Sequence, residues 1–476
     1  MPRAPDQNTL DELKAVVGAG FWLDAPDTVA PFLTDFRRLY HGATPLVLAP
    51  QDVGEVAHIL RICNRDSVAV VPHGGNTSYC GGATPDDSGS EIVLSLRRLK
   101  RIRQIDAVNY SMVIEAGCTL AEAQAAAADA DRLFPLSLGS EGTAQIGGNL
   151  STNAGGTAVL RYGMMRDLVL GLEVVLADGR VLAGLKSLRK DNTGYDLKSL
   201  FVGAEGTLGV ITAASLKLFP RPADIATALV GIAAPARALD LLALLRSAAG
   251  DLVTSFELMP RRAVQLTVKH VPGVADPLSQ NTPWYLLIEL SSPNPRQELS
   301  ALLTATLEDA AARGTIEDAM LATSLAQSQA MWKLRESVPE AQRRHGASLK
   351  HDVSVPVSAI PTLIEQGSAL VERLAPEGEV VAYGHAGDGN LHFNVSQRPE
   401  YAVERFMERG AALEHAMFDL VESLGGSISA EHGIGRLKAA EFARRADPAE
   451  LAVMRSVKRA LDPKGIMNPG KVLCAR

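Results

Sequence analysis

Cysteine is scarce in this sequence. Among its 476 residues there are four, and no two of them form a C-x-x-C pair: Cys63, Cys80, Cys118 and Cys474. This scatter predicts reduced thiols rather than a disulfide framework. No stretch approaches the ~18 apolar residues that a membrane-spanning helix needs. The N-terminus has no apolar run after its arginine, so we expect no signal peptide and a cytoplasmic protein.

An excess of basic charge is also missing. The formal net charge is −7, which argues against a nucleic-acid partner because phosphate binding needs a basic face. Neither the dinucleotide motif G-x-G-x-x-G nor the P-loop motif G-x-x-x-x-G-K-[ST] is found, so ordinary sites of those two kinds are not indicated. The composition, 46% hydrophobic and 21% charged, is that of a globular protein, and the length predicts two or three cores.

The segment from 384 to 394 carries the most informative pattern. It places His385 and His392 seven residues apart, with Gly387-Asp388-Gly389 between them. These glycines disfavour a helix, and the apolar flanks favour strands. We therefore predict a hairpin that folds His385 back towards His392. Asn394 would share a face with His392, since side chains two residues apart on a strand point the same way.

Two neutral imidazoles near one point suit a borderline transition metal such as zinc. A catalytic zinc site needs a third protein ligand, and the best candidate is Glu431, in the Gly-rich segment 427–435. The adjacent His432 would then face something else. The alternative is that His385 and His392 are satisfied by backbone hydrogen bonds beside a tight turn.

Two further Gly-rich runs precede this segment. The first, 72–82, follows a buried strand and could form a concave nest of backbone N–H groups that binds phosphate oxygens. The second, 135–156, is too long for a tight turn and too apolar for a disordered linker, so we predict a functional loop. Asp178-Gly179 predicts a hairpin. After Pro220 and Pro222, helices alternate with strands, which predicts an α+β domain.

Together these stretches resemble the FAD-dependent D-2-hydroxy acid dehydrogenases of the vanillyl-alcohol-oxidase flavoprotein superfamily. This group includes the D-2-hydroxyglutarate dehydrogenases, the D-lactate dehydrogenases and the glycolate oxidase D-subunit. The resemblance runs from about residue 40 to the C-terminus. Its motifs are PHGGNTS (72–78), IGGNLSTNAGG (146–156), GAEGTLGVIT (203–212), GHAGDGNLH (384–392) and AEHGIG (430–435).

The resemblance implies an α+β fold and a domain order. After an N-terminal segment (1–42), a PCMH-type FAD-binding domain of two subdomains would span 43–222. An α+β substrate-binding (cap) domain would span 223–430, and a helical C-terminal segment (431–476) would return to the FAD domain. A homodimer is expected from the resemblance alone.

The same resemblance implies noncovalent FAD. Some relatives tether the flavin through a histidine directly after the two glycines of the first loop, and Asn76 occupies that position here. The implied FAD-binding residues are Pro72, His73, Gly74, Gly75, Asn76, Thr77, Ser78, Gly81, Gly82, Leu138, Gly139, Ser140, Thr143, Gly147, Gly148, Asn149, Ser151, Thr152, Asn153, Gly155, Gly156, Glu205, Gly206, Gly209, Val210, Ile211 and Asn468.

The implied metal ligands are His385, His392 and Glu431, matching the interpretation above. Zinc is expected, although manganese, iron and cobalt also suit this ligand set. The resemblance makes His432 the general base and a substrate contact. It also assigns Arg335, Lys350 and Asn394 to substrate binding.

The alternatives are that Arg335 is a helix surface charge paired with Glu336 or Glu340, and that Lys350 is only solvated. One departure matters: Pro339 stands where close relatives carry a carboxylate-binding threonine. The resemblance implies D-2-hydroxyglutarate as the substrate, and because Pro339 lacks the donor of that threonine, D-malate and D-lactate are the alternatives.

Two rival functions remain open on the sequence. One is a His-His-Glu metallohydrolase in which the Gly-rich runs are only structural. The other is a flavin-dependent transferase of the alkyl-dihydroxyacetone-phosphate synthase type. The sequence does not indicate the electron acceptor, which could be an electron-transferring flavoprotein, a quinone or a cytochrome.

Overall fold

The computed structural model describes residues 2–474, and the chain divides into two compact units. The first unit comprises residues up to 156, 163–221 and the segment from 431 onward. The second unit comprises 157–162 and 222–430. The short excursion at 157–162, which belongs to the second unit, has no counterpart in the domain order expected from the sequence.

The helices in chain order are α1 (Gln7–Val17), α2 (Pro26–Val29), α3 (Val53–Asp66), α4 (Leu120–Asp129), α5 (Ile146–Ser151), α6 (Val159–Tyr162), α7 (Met165–Leu168), α8 (Lys198–Phe201), α9 (Pro235–Ala249), α10 (Arg261–His270), α11 (Leu299–Ala312), α12 (Leu325–Glu336), α13 (Val338–His345), α14 (Ile360–Leu374), α15 (Val403–Met407), α16 (Gly410–Ser423), α17 (Ala439–Arg445) and α18 (Pro448–Leu461).

The strands in chain order are β1 (Trp22–Leu23), β2 (Val47–Leu48), β3 (Val70–His73), β4 (Ile92–Ser95), β5 (Ile102–Asp106), β6 (Ser111–Glu115), β7 (Arg132–Leu133), β8 (Val169–Val175), β9 (Val181–Gly184), β10 (Val210–Lys217), β11 (Phe219–Pro220), β12 (Asp224–Ile232), β13 (Val253–Pro260), β14 (Trp284–Ser292), β15 (Asp318–Leu321), β16 (Ser348–Ser354), β17 (Gly378–His385) and β18 (Asn390–Gln397).

The first unit contains two main sheets. One has the order β1-β2-β4-β3, with β2, β4 and β3 parallel, and the other is antiparallel with the order β5-β6-β10-β8-β9. The predicted hairpin at Asp178-Gly179 is confirmed, since it joins β8 to β9. The C-terminal segment packs on β3 through a parallel bridge between Val70 and Met467. Strand β3, which leads into the first Gly-rich run, is therefore flanked by β4 on one side and by the C-terminal segment on the other.

Local sequence explains where the helices of this unit begin. Asp52 caps α3, accepting the backbone N–H of Glu55 at 3.0 Å. Thr119 and Glu122 form a reciprocal capping box on α4, so two backbone donors that a helix start leaves open are satisfied. These caps fix the helices that precede the two Gly-rich runs.

The second Gly-rich run differs from the prediction of a continuous loop, because α5 lies within it. Ile146 and Leu150 are fully buried and anchor this short helix, although its glycines have low helix propensity. A Cβ at Gly147 would lie 2.8 Å from the Cβ of Ala116, so the glycine permits the close approach of α5 to the end of β6. Tertiary packing therefore overrides propensity here.

The second unit is built on one antiparallel sheet of seven strands in the order β15-β12-β14-β13-β17-β18-β16. Helices α9, α11, α14 and α16 contribute apolar residues to a core with this sheet, and α10, α12 and α13 to a second core. The predicted histidine hairpin is confirmed as β17–β18, with Tyr383 paired to His392. No helix within residues 2–474 combines the length and apolarity needed to cross a bilayer.

Candidate functional site

The first Gly-rich run is held by contacts that only glycine allows. A Cβ at Gly75 would lie 2.0 Å from the carbonyl oxygen of Thr143 in the second run. A Cβ at Gly156 would lie 2.0 Å from the carbonyl oxygen of Ser137. Both distances are far inside van der Waals contact, so the Gly75 contact packs the first run against the second, and the Gly156 contact packs the second run against itself. By contrast, a Cβ at Gly148 would meet no protein atom within 4 Å.

Several buried polar atoms around these runs have no protein partner among the residues described. These atoms are Nδ1 and Nε2 of His73, Oε1 of Gln145, Nδ2 of Asn149 and Oδ1 of Asn468. Such atoms are costly to bury unless another group satisfies them. Donors and acceptors aimed from both Gly-rich runs fit a large polar ligand such as FAD. Burial also lowers the pKa of His73 to about 4, so its imidazole is neutral near pH 7.

Glu205 and Asn468 hold backbone in this unit as well as being predicted FAD contacts. The Glu205 carboxylate accepts the backbone N–H groups of Ile434 and Gly435, each at 2.8 Å. The Asn468 amide donates to the carbonyl oxygens of Glu205 and Gly82, at 2.7 and 2.9 Å. Burial raises the pKa of Glu205 to about 7 despite the two donors.

His432 belongs to the segment that Glu205 holds. Its ring stacks on Tyr79 of the first Gly-rich run, with centroids 4.5 Å apart and planes inclined by 24°. Sequence reasoning missed Tyr79, and its only signal was an aromatic ring inside a glycine-rich loop. Glu431 packs near Gly155, where a Cβ would lie 2.8 Å from its Oε1. Both predicted residues are thus ordered against the Gly-rich runs of the first unit.

In the second unit, the hairpin brings His385 and His392 together. Their ring centroids are 5.6 Å apart with the planes at 78°. The turn works as the sequence suggested: Asp388 accepts the backbone N–H of Asn390 at 3.1 Å, as turn aspartates do. The fold thus creates the pair of converging imidazoles that was predicted.

A buried glutamate that the sequence analysis missed contacts this pair. Nδ1 of His385 donates to Oε1 of Glu257 at 2.6 Å. Oε2 of Glu257 accepts Nε of Arg335 at 2.8 Å, with Nη2 2.7 Å away. Burial alone would raise the pKa of Glu257, but its contacts with His385 and Arg335 outweigh burial and lower that pKa to about 2. The one available signal was an acidic residue within the apolar strand Val253–Pro260.

Arg335 is therefore not a surface charge. Its side chain is 7% exposed, and its guanidinium carbon lies 4.9 Å from the centre of the Tyr383 ring. Contacts with Glu257 use Nε and Nη2 and leave Nη1. The alternative of a helix surface charge paired with Glu336 or Glu340 is wrong.

Strand β16 brings two further groups beside the hairpin. Lys350 pairs with Asn394 in the sheet register, and Asp352 pairs with His392. Oδ1 of Asp352 lies 3.6 Å from Nδ1 of His392, so this histidine also has a carboxylate beside Nδ1.

Asn394 is oriented by a fully buried glutamine on α13. Its Nδ2 donates to Oε1 of Gln342 at 2.9 Å, and Nε2 of Gln342 donates to the Ser396 hydroxyl at 3.1 Å. The second unit therefore gathers most of the residues predicted for metal and substrate binding, namely His385, His392, Asn394, Lys350 and Arg335. Glu431 and His432 belong to the first unit, and their roles stay predictions.

Comparison with known proteins gives the family. Residues 44–184 match the FAD binding domain, and residues 221–472 match the C-terminal domain of FAD linked oxidases. The chain belongs to the FAD-linked oxidase family. Because the second match alone spans more than half of the chain, the family does not rest on the cofactor domain only. The protein is thus an FAD-dependent oxidoreductase, as predicted.

Relatives extend over nearly the whole chain. It is 40% identical over 466 residues to the mitochondrial D-2-hydroxyglutarate dehydrogenase of Bos taurus, covering 97% of this chain and 83% of that protein. It is 36% identical over 460 residues to the D-2-hydroxyglutarate–pyruvate transhydrogenase of Saccharomyces cerevisiae, covering 94% and 90%. A solved alkyldihydroxyacetonephosphate synthase superposes with a TM-score of 0.76 at 19% identity, covering 98% of this chain and 87% of that one.

These likenesses bear on the rival functions. At 19% identity the synthase shows that this FAD-linked oxidase shares its fold and no more. The metallohydrolase required Gly-rich runs with only a structural role, and the FAD-binding match over 44–184 contradicts that requirement.

Proposed function

We propose that this FAD-linked oxidase oxidises a D-2-hydroxy acid to the 2-oxo acid with the help of a divalent metal. D-2-hydroxyglutarate is the first candidate, and D-malate and D-lactate follow. Two relatives named for D-2-hydroxyglutarate support the substrate class. The observation that carries the metal is the pair of facing histidines, one of which has Nδ1 bound to a buried carboxylate.

The donor set fits a metal of the zinc type. Histidine ligands of metals commonly donate their second ring N–H to a carboxylate, and His385 does so towards Glu257. We propose His385, His392 and Glu431 as the protein ligands. Two imidazoles and one carboxylate would leave a position for the substrate, as catalytic zinc sites do.

The substrate carboxylate would meet the two proposed substrate-binding cations, Lys350 and Arg335. Lys350 lies on β16 opposite Asn394, and its ammonium acts as a point charge. Arg335 would use Nη1, which its contacts with Glu257 leave. Because Glu257 offsets one positive charge, the net charge presented to an anionic substrate is smaller than the sequence suggested.

The predicted base is His432. An imidazole has an unperturbed pKa of about 6.5, so at neutral pH it accepts a proton readily. An alcohol is a far weaker acid, and each pKa unit of mismatch costs about 1.4 kcal/mol. When bound, the metal would supply Lewis acidity that lowers the hydroxyl pKa, and FAD would accept the hydride from C2. Stacking on Tyr79 would hold the His432 ring in place for this transfer.

Substrate choice would depend partly on the start of α13. Pro339 lies in the first turn of this helix, where it offers neither a hydroxyl nor a backbone N–H. A dicarboxylate that relies on a threonine at this position would lose one contact. Comparing D-2-hydroxyglutarate with D-lactate therefore tests whether Pro339 shifts the preference.

The electron acceptor is proposed to be an electron-transferring flavoprotein, a quinone or a cytochrome. The name of the yeast relative adds pyruvate as a possible hydride acceptor. A cytoplasmic location and a homodimer stay predictions of the sequence analysis.

The deciding experiment is anaerobic stopped-flow bleaching of the bound flavin. D-2-hydroxyglutarate, D-malate, D-lactate and glycolate would each be presented before and after EDTA treatment. Bleaching by a D-2-hydroxy acid that EDTA abolishes and Zn²⁺ restores supports the proposal. Bleaching that survives complete metal removal overturns the roles of the three metal ligands.

A variant separates the base from the ligands. His432→Ala should abolish bleaching while FAD and metal stay bound. Unchanged bleaching kinetics in this variant would remove His432 from the mechanism.

A further inference from the structure

We propose that Glu257 is a positioning residue that couples metal binding to substrate binding. Its two carboxylate oxygens are divided between two groups of the proposed site: Oε1 contacts His385, and Oε2 contacts Arg335. This inference rests on the proposed function. The inference goes beyond that function because it assigns a role to a side chain that touches neither metal nor substrate.

The backbone places Glu257 and His385 together. They are direct partners in the register of the antiparallel strands β13 and β17. All eight residues of β13 are buried, so the carboxylate is held within the sheet and not in a mobile loop. Cross-strand partners face each other on one side of a sheet, so this contact is as rigid as the sheet itself.

The contact decides which nitrogen of His385 is available as a ligand. Nδ1 of His385 lies 2.6 Å from Oε1 of Glu257. A carboxylate accepts hydrogen bonds and cannot donate them, so Nδ1 must carry the proton of this hydrogen bond. In a neutral ring the lone pair then lies on Nε2. Glu257 thereby fixes the tautomer and the rotation of the ring before any metal arrives.

The other oxygen fixes Arg335. The Arg335 side chain is only 7% exposed, so its guanidinium needs a counter-charge. The Glu257 carboxylate supplies that charge and accepts from Nε and Nη2 of Arg335. Tyr383 packs on the same guanidinium. Since one carboxylate orients both partners, weakening it changes the metal ligand and the substrate-binding cation together.

The informative change is Glu257→Gln, which keeps the size of the side chain and removes its charge. The amide has a single acceptor oxygen, so it cannot accept from both His385 and Arg335 at full strength. We expect a 10–100-fold weaker affinity for Zn²⁺, the usual effect of removing a carboxylate partner of a histidine ligand. We also expect a higher KM for the hydroxy acid and an unchanged ratio of FAD to protein, because the predicted FAD contacts lie in the first unit.

Two further variants frame the result. Glu257→Asp retains the charge and should recover part of the metal affinity. Glu289→Gln is the matched control: Glu289 lies on β14 of the same sheet and accepts the indole N–H of Trp332, so its partner is neutral. This control should bind Zn²⁺ and substrate as the unmodified protein does.

The measurement is the dissociation constant of Zn²⁺ from the FAD-loaded protein, by competition with a chromophoric chelator. The inference is supported if the dissociation constant of Zn²⁺ is larger in Glu257→Gln, partly restored in Glu257→Asp and unchanged in Glu289→Gln. Equal constants in Glu257→Gln and the unmodified protein overturn it while leaving the proposed function intact. An unmodified protein that binds no Zn²⁺ overturns both.

Histidine ¹⁵N NMR of the metal-free unmodified protein provides a second readout that needs no stable Glu257 variant. The His385 signal, assigned by its loss in His385→Gln, should show a protonated Nδ1 and a bare Nε2. A proton on Nε2 instead would overturn the inference.

Discussion

Nδ1 of His385 lies 2.6 Å from Oε1 of Glu257, and the side chains of both residues are buried. This contact contradicts, for His385, the alternative of an imidazole satisfied only by backbone hydrogen bonds, while the metal stays a proposal. A histidine that only stabilises a turn would bond to backbone, whereas this one is held by a carboxylate across the sheet. The arrangement is the one that orients histidine ligands in metal sites.

Removing either imidazole should remove the metal and leave the flavin. His385→Ala and His392→Ala are each expected to lower bound Zn²⁺ to a small fraction of one equivalent. The FAD content should stay unchanged, because the predicted FAD contacts lie in the other unit. Metal analysis and flavin absorbance on the same samples check this. His415→Ala, at an exposed histidine of α16, is the control and should keep its metal.

The two proposed substrate-binding cations, Arg335 and Lys350, should respond differently to neutralisation. Arg335→Met leaves Glu257 as a buried charge that has lost one partner, and such losses cost about 3–5 kcal/mol of unfolding free energy. Lys350→Met alters a partly exposed strand residue, so it should raise KM with under about 1 kcal/mol of lost stability. Urea unfolding and steady-state kinetics would separate the two. Equal loss of stability in both variants would contradict this account.

The hairpin and the missed glutamate show what local sequence can and cannot predict. Gly387, Asp388 and Gly389 specify a turn by themselves, so the facing of His385 and His392 followed from eleven residues. Glu257 lies 128 positions from His385, and only the register of β13 against β17 pairs them. A single sequence does not reveal such non-local pairing.

The prediction of a continuous loop for the second Gly-rich run was wrong for a related reason. Low helix propensity predicted a loop, yet burial of Ile146 and Leu150 stabilises α5 in its place. Gly147 is needed because α5 approaches Ala116 closely. Helix propensity does not account for such a tertiary contact. The FAD-binding assignment survived this error, since it depended on the motif and not on the secondary structure.

Two glycine substitutions should separate folding from FAD binding. Gly75→Ala places a methyl group 2.0 Å from the Thr143 carbonyl oxygen, so the Gly-rich runs must move apart and stability should fall. Gly148→Ala meets no protein atom within 4 Å, so the fold should persist while FAD affinity falls if the flavin lies there. Thermal unfolding and flavin titration check both. Full FAD affinity in Gly148→Ala would place the cofactor away from this residue.

The flavin should be released by denaturation. Asn76 occupies the position at which some relatives carry a tethering histidine, and its Nδ2 donates to the carbonyl oxygen of Thr34 at 2.9 Å. An amide cannot form the flavin–imidazole bond. Precipitation with acid should therefore leave a colourless pellet and a yellow supernatant, whereas a yellow pellet would establish a covalent link elsewhere in the chain.

Without bound FAD, His73 should make the protein less stable in mild acid. Burial lowers its pKa from 6.5 to about 4 in the folded state, while the unfolded state keeps the ordinary value. The unfolded chain therefore takes up the proton first. Stability is complete above pH 6.5, declines as the pH falls towards 4, and is constant below that. The full loss is on the order of 3 kcal/mol, from about 1.4 kcal/mol for each pKa unit.

The variant His73→Gln removes this titration and provides the comparison. The difference in unfolding free energy between the two proteins, measured in urea without FAD, should change between pH 6.5 and 4. Repeating the measurement with FAD bound should remove this pH dependence if the flavin satisfies the ring nitrogens and returns the pKa of His73 towards its ordinary value. That outcome would place His73 in contact with FAD, as its position in the PHGGNTS motif predicts.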